Sequence, residues 1–171
     1  ACGRGCVAGG AWARCIRVLG ALDAAATLTV THTRERVQFG RPLSALQAVQ
    51  HSLAAMAGDI ERARSAVDAA ISAATAYGFG DDRTELAVAV AKIVLGQVVG
   101  PVTTAAHQLH GAIGVTREHP LWPFTPRAQS WVGDYGPARL FAHQLGRLTL
   151  ACDNPWGLVT GEVTANRGQQ A

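Results

Sequence analysis

The chain has 171 residues, 49% of them hydrophobic, and its formal net charge of +3 is spread along its length. A chain of this size and composition can bury the core of one domain without disulfides or metal ions. Charged or histidine residues interrupt each apolar run before the roughly 20 residues of a membrane span. Because the cations form no dense patch interleaved with aromatic side chains, nothing indicates a nucleic-acid groove. Small-molecule or protein partners are the better expectation.

The four cysteines argue against a zinc ribbon or a disulfide framework. Cys2, Cys6 and Cys15 cluster near one end, Cys152 lies near the other, and Cys-x-x-Cys spacing is absent. Reduced thiols in a cytoplasmic protein are the expected state.

The first half of the chain predicts two long helices joined by a tight corner. The first runs from about Ala11 to Arg36, with a stripe of apolar residues at spacings of three and four: Ile16, Leu19, Leu22, Ala26 and Val30. Gly40 and Pro42 break it, and Ser44 is placed to cap the second helix. That helix is predicted to reach about Tyr77, with apolar positions at Leu46, Val49, Leu53, Met56, Ile60, Val67 and Ile71.

The second half predicts two further helices and a structured loop. Asp81 or Asp82 can cap a third long helix that continues toward Leu109. Residues 110–126 are rich in Gly and Pro and predict a loop, with a short helix near Leu121. A final helix is expected over 136–151, with core candidates Leu140, Leu145 and Leu148. We therefore predict an all-α, antiparallel (up-down) four-helix bundle over residues 1–154 and a loosely ordered tail over 155–171.

Two Gly-containing corners carry more information than the helices. The first reads Arg34-Glu35-Arg36-Val37-Gln38-Phe39-Gly40-Arg41-Pro42-Leu43 and is followed by Gln47. The second reads Gln108-Leu109-His110-Gly111-Ala112-Ile113-Gly114, with Glu118 and Pro120 downstream. They closely resemble the Arg-x-x-Phe-Gly segment and the Gln-x-x-Gly-Gly-x-Gly loop of acyl-CoA dehydrogenases, in the same order and at the same separation. The resemblance spans roughly residues 10 to 150, the usual size of one domain.

The resemblance implies the fold and the partners of a whole enzyme. Members of that family have an amino-terminal helical domain, a central β domain and a carboxyl-terminal four-helix bundle, and only the last is present here. The bundle packs into dimers or tetramers and contacts the FAD of the neighbouring protomer. An acyl-CoA substrate and an electron acceptor are implied as well.

The resemblance also implies which residues meet FAD. Arg36 is expected at the pyrophosphate, because a guanidinium offers paired donors to phosphate oxygens. Without the motif, Arg36 would be read as a helix-end cation stabilised by the helix dipole. Gln38 and Phe39 follow as a polar contact and a packing surface. On the second helix, Gln47 is expected near the adenosine half of FAD. On the second corner, Gln108 is expected to approach the dinucleotide, and Gly111 lets the backbone come close to it because glycine has no side chain. Ala112 stands where the family has its second Gly and is also an expected contact.

The catalytic base is the part that departs from the family. A base must take the α proton while the flavin removes a hydride from the β carbon, and the family usually supplies a Glu. Ungapped counting puts Tyr135 at that position, whereas a shift of one residue would make Asp134 the base. Asp134 could instead cap the final helix. Another branch of the family carries its Glu roughly at Gly10, where this chain has no acidic residue.

Two functions therefore stay open at this stage. One is a domain of an FAD-dependent acyl-CoA dehydrogenase that desaturates a thioester. The other is a non-catalytic partner subunit that completes the FAD site of an active homologue in a hetero-oligomer. No metal site is predicted, because His51, His107 and His110 do not follow a common ligand spacing.

Overall fold

The computed structural model describes the backbone of residues 2–160 and the side chains of residues 5–157. Its elements are α1 (Cys2–Glu35), β1 (Val37–Gln38), β2 (Arg41–Pro42), α2 (Gln47–Tyr77), α3 (Asp82–His110), α4 (Thr125–Trp131), α5 (Ala138–Leu150) and α6 (Pro155–Thr160). Two 3-10 turns, Leu43–Ala45 and Gly111–Val115, precede α2 and follow α3. The predicted all-helical bundle is confirmed, with α1, α2, α3 and α5 as its four main helices.

The core lies between α1, α2 and α3, and small side chains dominate the face that α1 turns to it. The fully buried positions on α1 follow spacings of four and three and are Ala11, Cys15, Val18, Leu22, Ala25, Thr29 and Thr33. Of the predicted stripe, Leu19 and Leu22 are buried, whereas Ile16, Ala26 and Val30 are only half-buried. The many short side chains at the contact let the helix axes approach closely.

Helix α3 starts where the sequence predicted, and α2 does not. The side chain of Asp81 accepts a hydrogen bond from the Arg83 N–H at 2.9 Å, which caps α3. The predicted cap at Ser44 is wrong. Ser44 lies in the 3-10 turn, and α2 begins three residues later, after Leu46, without a side-chain cap. The Ser44 carbonyl instead accepts a hydrogen bond from Gln50 Nε2 at 3.0 Å.

Helix α5 differs from the prediction in both its start and its burial. It begins at Ala138, because Gly136 has φ of 118° and the N-cap Pro137 is extended. Leu140 and Leu148 are 45% and 37% exposed and Leu145 is half-buried, so none of the three belongs to the buried core. Within the described residues α5 packs mainly on α3, and this single contact leaves much of its apolar face open.

The remaining segments agree with the sequence in kind more than in position. A short helix does follow the Gly- and Pro-rich loop, but α4 starts at Thr125, four residues after Leu121. The tail predicted to be loose begins with α6, and residues 161–171 lie outside the described part. By length and composition the segment Asp82–Val115 could cross a membrane, yet 50% of its most apolar stretch is buried inside the bundle. That burial is typical of a central bundle helix.

Candidate functional site

The first corner is a β-hairpin with an aromatic side chain at its tip. Gln38 pairs with Arg41, and the two loop residues, Phe39 and Gly40, both have positive φ, at 54° and 75°. Two such residues make the tight turn that matches the twist of a hairpin. The Phe39 side chain is 87% exposed. Within this chain it contributes almost nothing to a core, so it is free to contact a partner.

Arg36 joins α1 to this hairpin, and its backbone is held on both sides. Its N–H donates to the His32 carbonyl and its own carbonyl accepts from the Leu43 N–H, both at 2.9 Å. The side chain is exposed, and among the described residues it forms no ion pair. Gln47 is the first residue of α2 and is exposed as well. Both predicted side chains are therefore available to a ligand from outside the bundle.

The second corner begins at the end of α3. Gly111 has φ of 67°, a region that L side chains rarely adopt, and its N–H donates to the His107 carbonyl. A Cβ built on Gly111 meets nothing within 4 Å, so the space beside it is open. Gln108 and Ala112 are exposed on either side.

Gly114 has a different reason for being glycine. It is buried, and a Cβ there would lie 2.6 Å from the Cβ of His110. Close packing of the 3-10 turn onto the last turn of α3 requires it. This packing fixes the second corner to the end of α3.

Both corners lie at the same end of the bundle. The rings of His32, in the last turns of α1, and His110, the last residue of α3, are stacked with their centroids 4.5 Å apart. Arg36 follows His32 by one helical turn, and Gly111 follows His110 directly. The sequence placed these residues in separate motifs, and the fold brings them to one surface.

The loop that carries the predicted base, residues 132–136, is called the base loop here and is held by two cations. Arg14 Nε lies 2.8 Å from a carboxylate oxygen of Asp134. The Nζ of Lys92, a residue only 1% exposed, donates to the carbonyl oxygens of Val132 and Asp134, each at 2.6 Å. The prediction that Asp134 caps the last helix is wrong, because the N-cap of α5 is Pro137. Its carboxylate instead ties the loop to α1.

Tyr135 and Gly10, the two positions that counting from the motifs suggested for the base, meet in this fold. Tyr135 has φ of 60°, and its ring lies against Gly10 so closely that a Cβ on Gly10 would overlap it. The loop position and the α1 position are therefore adjacent in space. Neither residue is acidic in this chain. Asp134 is the adjacent carboxylate, and it is directed to Arg14.

A cleft of about 300 Å³ opens beside Tyr135. Its lining is mainly apolar and comes from α1, α3, the base loop and α5: Val7, Ala8, Ala11, Glu85, Val88, Ala89, Tyr135, Leu140, Phe141 and Gln144. Sequence reasoning missed Glu85 and Gln144, since each would be interpreted as a polar residue on the outer face of a helix. Only the packing of α5 on α3 brings them to the cleft.

The cleft and the corners are far apart within one chain. Gly10 and Arg36 are 26 residues apart near the two ends of α1, which is about 39 Å along the helix axis. The corner end and the base loop of one chain are therefore two separate surfaces.

The family model for the acyl-CoA dehydrogenase carboxyl-terminal domain matches residues 4–131. The chain belongs to the acyl-CoA dehydrogenase family. The matched region contains both corners, all of α2, α3 and α4, and α1 from residue 4 onward.

Individual relatives agree with this assignment. Acyl-CoA dehydrogenase IpdE2 of Mycolicibacterium smegmatis is 32% identical over 130 residues, which are 76% of this chain and 38% of that protein. The solved structure of butyryl-CoA dehydrogenase from Megasphaera elsdenii has a TM-score of 0.75 and 31% identity, over 84% of this chain and 37% of that one. A chain of the ChsE4-ChsE5 complex from Mycobacterium tuberculosis has a TM-score of 0.77 and 25% identity, over 86% and 39%. The chain thus spans less than half the length of each.

Proposed function

We propose that this domain is part of an FAD-dependent acyl-CoA dehydrogenase and that its corner end contacts the FAD of a neighbouring protomer in a dimer or tetramer. The observation that carries the proposal is the gathering of both family motifs on one exposed end of the bundle. The residues proposed to contact FAD are Arg36, Gln38, Phe39, Gln47, Gln108, Gly111 and Ala112. The reaction of the whole protein would be α,β-desaturation of an acyl-CoA thioester, with electrons passed on to an acceptor protein.

The residue types at this end fit a dinucleotide. The Arg36 guanidinium is exposed on an anchored backbone and can donate paired hydrogen bonds to phosphate oxygens. The open space beside Gly111 lets the chain's backbone approach a ligand. Phe39 offers an exposed aromatic surface at the hairpin tip. When bound, FAD supplies the acceptor for the hydride that leaves the β carbon.

The distance between the corners and the base loop supports an oligomer. About 39 Å of α1 separates Arg36 from Gly10. If both ends take part in catalysis, they are expected to serve different active sites, one in each of two protomers. The cleft beside Tyr135 is then where this domain would face the acyl group, because its lining is mainly apolar.

Removing the Arg36 guanidinium tests the cofactor contact. In the protein at its full natural length, Arg36→Ala should weaken FAD retention by about 1.5 to 3 kcal/mol, the range for a hydrogen bond to a charged group, or roughly 10- to 150-fold. The measurement is the flavin absorbance that remains bound after gel filtration across a series of FAD concentrations. Arg34→Ala is the matched control, since Arg34 is an exposed arginine two residues away on the same helix end. Equal retention in both variants would contradict the proposal.

Asp134 is proposed as the base of an active enzyme, and the competing function is the non-catalytic partner subunit. That second function is favoured by a specific observation: neither Tyr135 nor Gly10 is acidic, and the Asp134 carboxylate is paired with Arg14. To take a substrate proton, the Asp134 carboxylate would first have to leave its 2.8 Å ion pair with Arg14. In a partner subunit the corners would still complete the FAD site of an active homologue.

Two variants that break the same ion pair separate these functions. Asp134→Asn removes the carboxylate, whereas Arg14→Gln leaves the carboxylate and removes only its partner. With Asp134 as base, the first variant should lower kcat by 100-fold or more, in the range of general base catalysis, and the second should not. Similar, modest effects of both variants would assign Asp134 a structural role. Activity of the purified protein without any homologue would exclude the partner-subunit function.

A further inference from the structure

Three histidines converge at the corner end of the bundle. His32 lies on α1, His110 ends α3, and His119 lies in the loop that follows the second corner. Each offers one ring nitrogen, and these three nitrogens all lie within 4.8 Å of one another. Neither their spacing in the sequence, 78 and 9 residues, nor a local motif predicts this cluster. It forms because the fold brings the ends of α1 and α3 together.

His110 is the best-defined member of the cluster. Its side chain is only 5% exposed, and its Nδ1 lies 2.8 Å from the Ala106 carbonyl oxygen. A carbonyl can only accept, so Nδ1 carries the proton and Nε2 carries a lone pair. Within the described residues Nε2 is buried and has no hydrogen-bond partner. A ring oriented by a backbone carbonyl, with its other nitrogen free, has the arrangement that metal-binding histidines usually show.

The cluster is electrically suited to a cation only if its rings are neutral. Burial lowers the pKa of His110, the hydrogen bond to the Ala106 carbonyl partly opposes this, and the neighbouring His32 and His119 lower it further. Burial and the charge of His119 also lower the pKa of His32 below its ordinary value. Both shifts favour the neutral ring, which is the form that binds a metal. Because the cluster contains no carboxylate, an imidazole-only ligand set results, and this suits Zn²⁺ and related transition metals better than Ca²⁺ or Mg²⁺.

We propose that His32, His110 and His119 bind one divalent transition-metal ion of the Zn²⁺ type. Three histidines leave a fourth position for water, as tetrahedral Zn²⁺ sites with three protein ligands do. The ion would tie α1, α3 and the loop after the second corner together. Arg36 follows His32 by four residues and Gly111 directly follows His110, so a bound ion would also fix the position of one corner relative to the other.

His119 is expected to be the weakest of the three ligands. Its Nδ1 accepts a hydrogen bond from the Leu121 N–H at 3.1 Å, which leaves the proton of the neutral ring on Nε2. Binding through either nitrogen then requires the ring to give up the Leu121 bond. His32 and His110 lose no such bond. The proposal therefore predicts an order of importance among the three ligands.

Cobalt titration tests the site on the protein at its full natural length, after dialysis against a chelator and return to metal-free buffer. Co²⁺ in a tetrahedral imidazole site gives visible absorption, so binding can be followed directly, and Zn²⁺ should displace it. We expect saturation at one ion per chain. His32→Ala should weaken binding by at least about tenfold, since even the outer partners of metal ligands contribute 10- to 100-fold. His119→Ala should weaken it less.

Two exposed histidines supply the control. His51→Ala and His143→Ala remove imidazoles from α2 and α5 and should leave Co²⁺ affinity unchanged. His110 is nearly fully buried, so His110→Gln is used only if its circular dichroism and Tm match the parent, and the test does not depend on it. The proposal is overturned if no saturable binding occurs at one equivalent, or if His32→Ala binds Co²⁺ as tightly as the parent. These readouts need no bound FAD and no activity, so they stand apart from the proposed function.

Discussion

Lys92 is the sole lysine of the chain, and it is buried where α3 meets the base loop. Lys92→Met keeps the length of the side chain and removes two charge-assisted hydrogen bonds to carbonyls, each 2.6 Å long. Two such bonds contribute about 3 to 6 kcal/mol. Part of this is offset, because the variant no longer buries an ammonium group, which costs several kcal/mol. We expect a net local loss of about 2 to 4 kcal/mol in the loop 132–136.

Hydrogen exchange followed by mass spectrometry measures this loss directly. Amides in a peptide covering 132–137 should lose protection roughly 30- to 1,000-fold, since each 1.4 kcal/mol of opening free energy is tenfold. Arg83→Met is the control, because it removes an exposed cation from the first turn of the same helix without leaving buried carbonyls unpaired. Wild-type protection of this loop in Lys92→Met would refute the assignment of Lys92 as the group that holds it.

Two further changes test the packing and the exposed corner. Gly96→Ala would put a methyl group onto the Cβ of Ala138, and no rotamer can relieve this contact. Helices α3 and α5 must then separate, so the free energy of unfolding measured by urea titration should fall by about 1 to 3 kcal/mol. Gly100→Ala is the control, because it lies on the same helix with open space around it and should not destabilise the protein. Phe39→Ala should change stability by less than about 0.5 kcal/mol, because the ring is 87% exposed, yet it should lower FAD retention; unchanged retention would leave Phe39 without a ligand role.

The helices were predictable because their signals are local. Gly78 ends α2 and Asp81 caps α3 as residue type alone suggests. The failures came where a neighbouring element decides the outcome. Ser44 has the right chemistry for a cap, but the backbone hydrogen bond from Leu43 to Arg36 closes the corner and draws the next residues into a 3-10 turn. The burial of Leu140 depends on how much of α5 is covered, and periodicity does not report that.

The site could be predicted only as far as motifs reach. The two corners were found in the sequence because they are contiguous, and the fold adds that they share one end of the bundle. Lys92, which holds the base loop, was not predicted, because it lies in an apolar helix 40 and 42 residues before the two carbonyls that it contacts. The His32 and His119 rings gave no sequence signal, since His32 meets His110 only when α1 packs on α3, and His119 meets it only when the loop after the second corner packs on the end of α3. Rules based on the spacing of residues in the sequence do not predict long-range contacts of this kind.

The corners and the base loop lie on separate surfaces of one chain, so a change at one of them need not affect the other. If the corners contact a dinucleotide, the base loop of the same chain, about 39 Å away along α1, is expected to act in another site. With Tyr135 and Gly10 in place of an acidic residue, one active site would then lack that base, while the corners would be unchanged at the other active site. In a chain without its own base, Arg36 and Gln108 could therefore still contact FAD. Arg36→Ala and Asp134→Asn are therefore independent tests. In a partner subunit, Arg36→Ala should still lower FAD retention, whereas Asp134→Asn should not produce the large loss of kcat expected for a base.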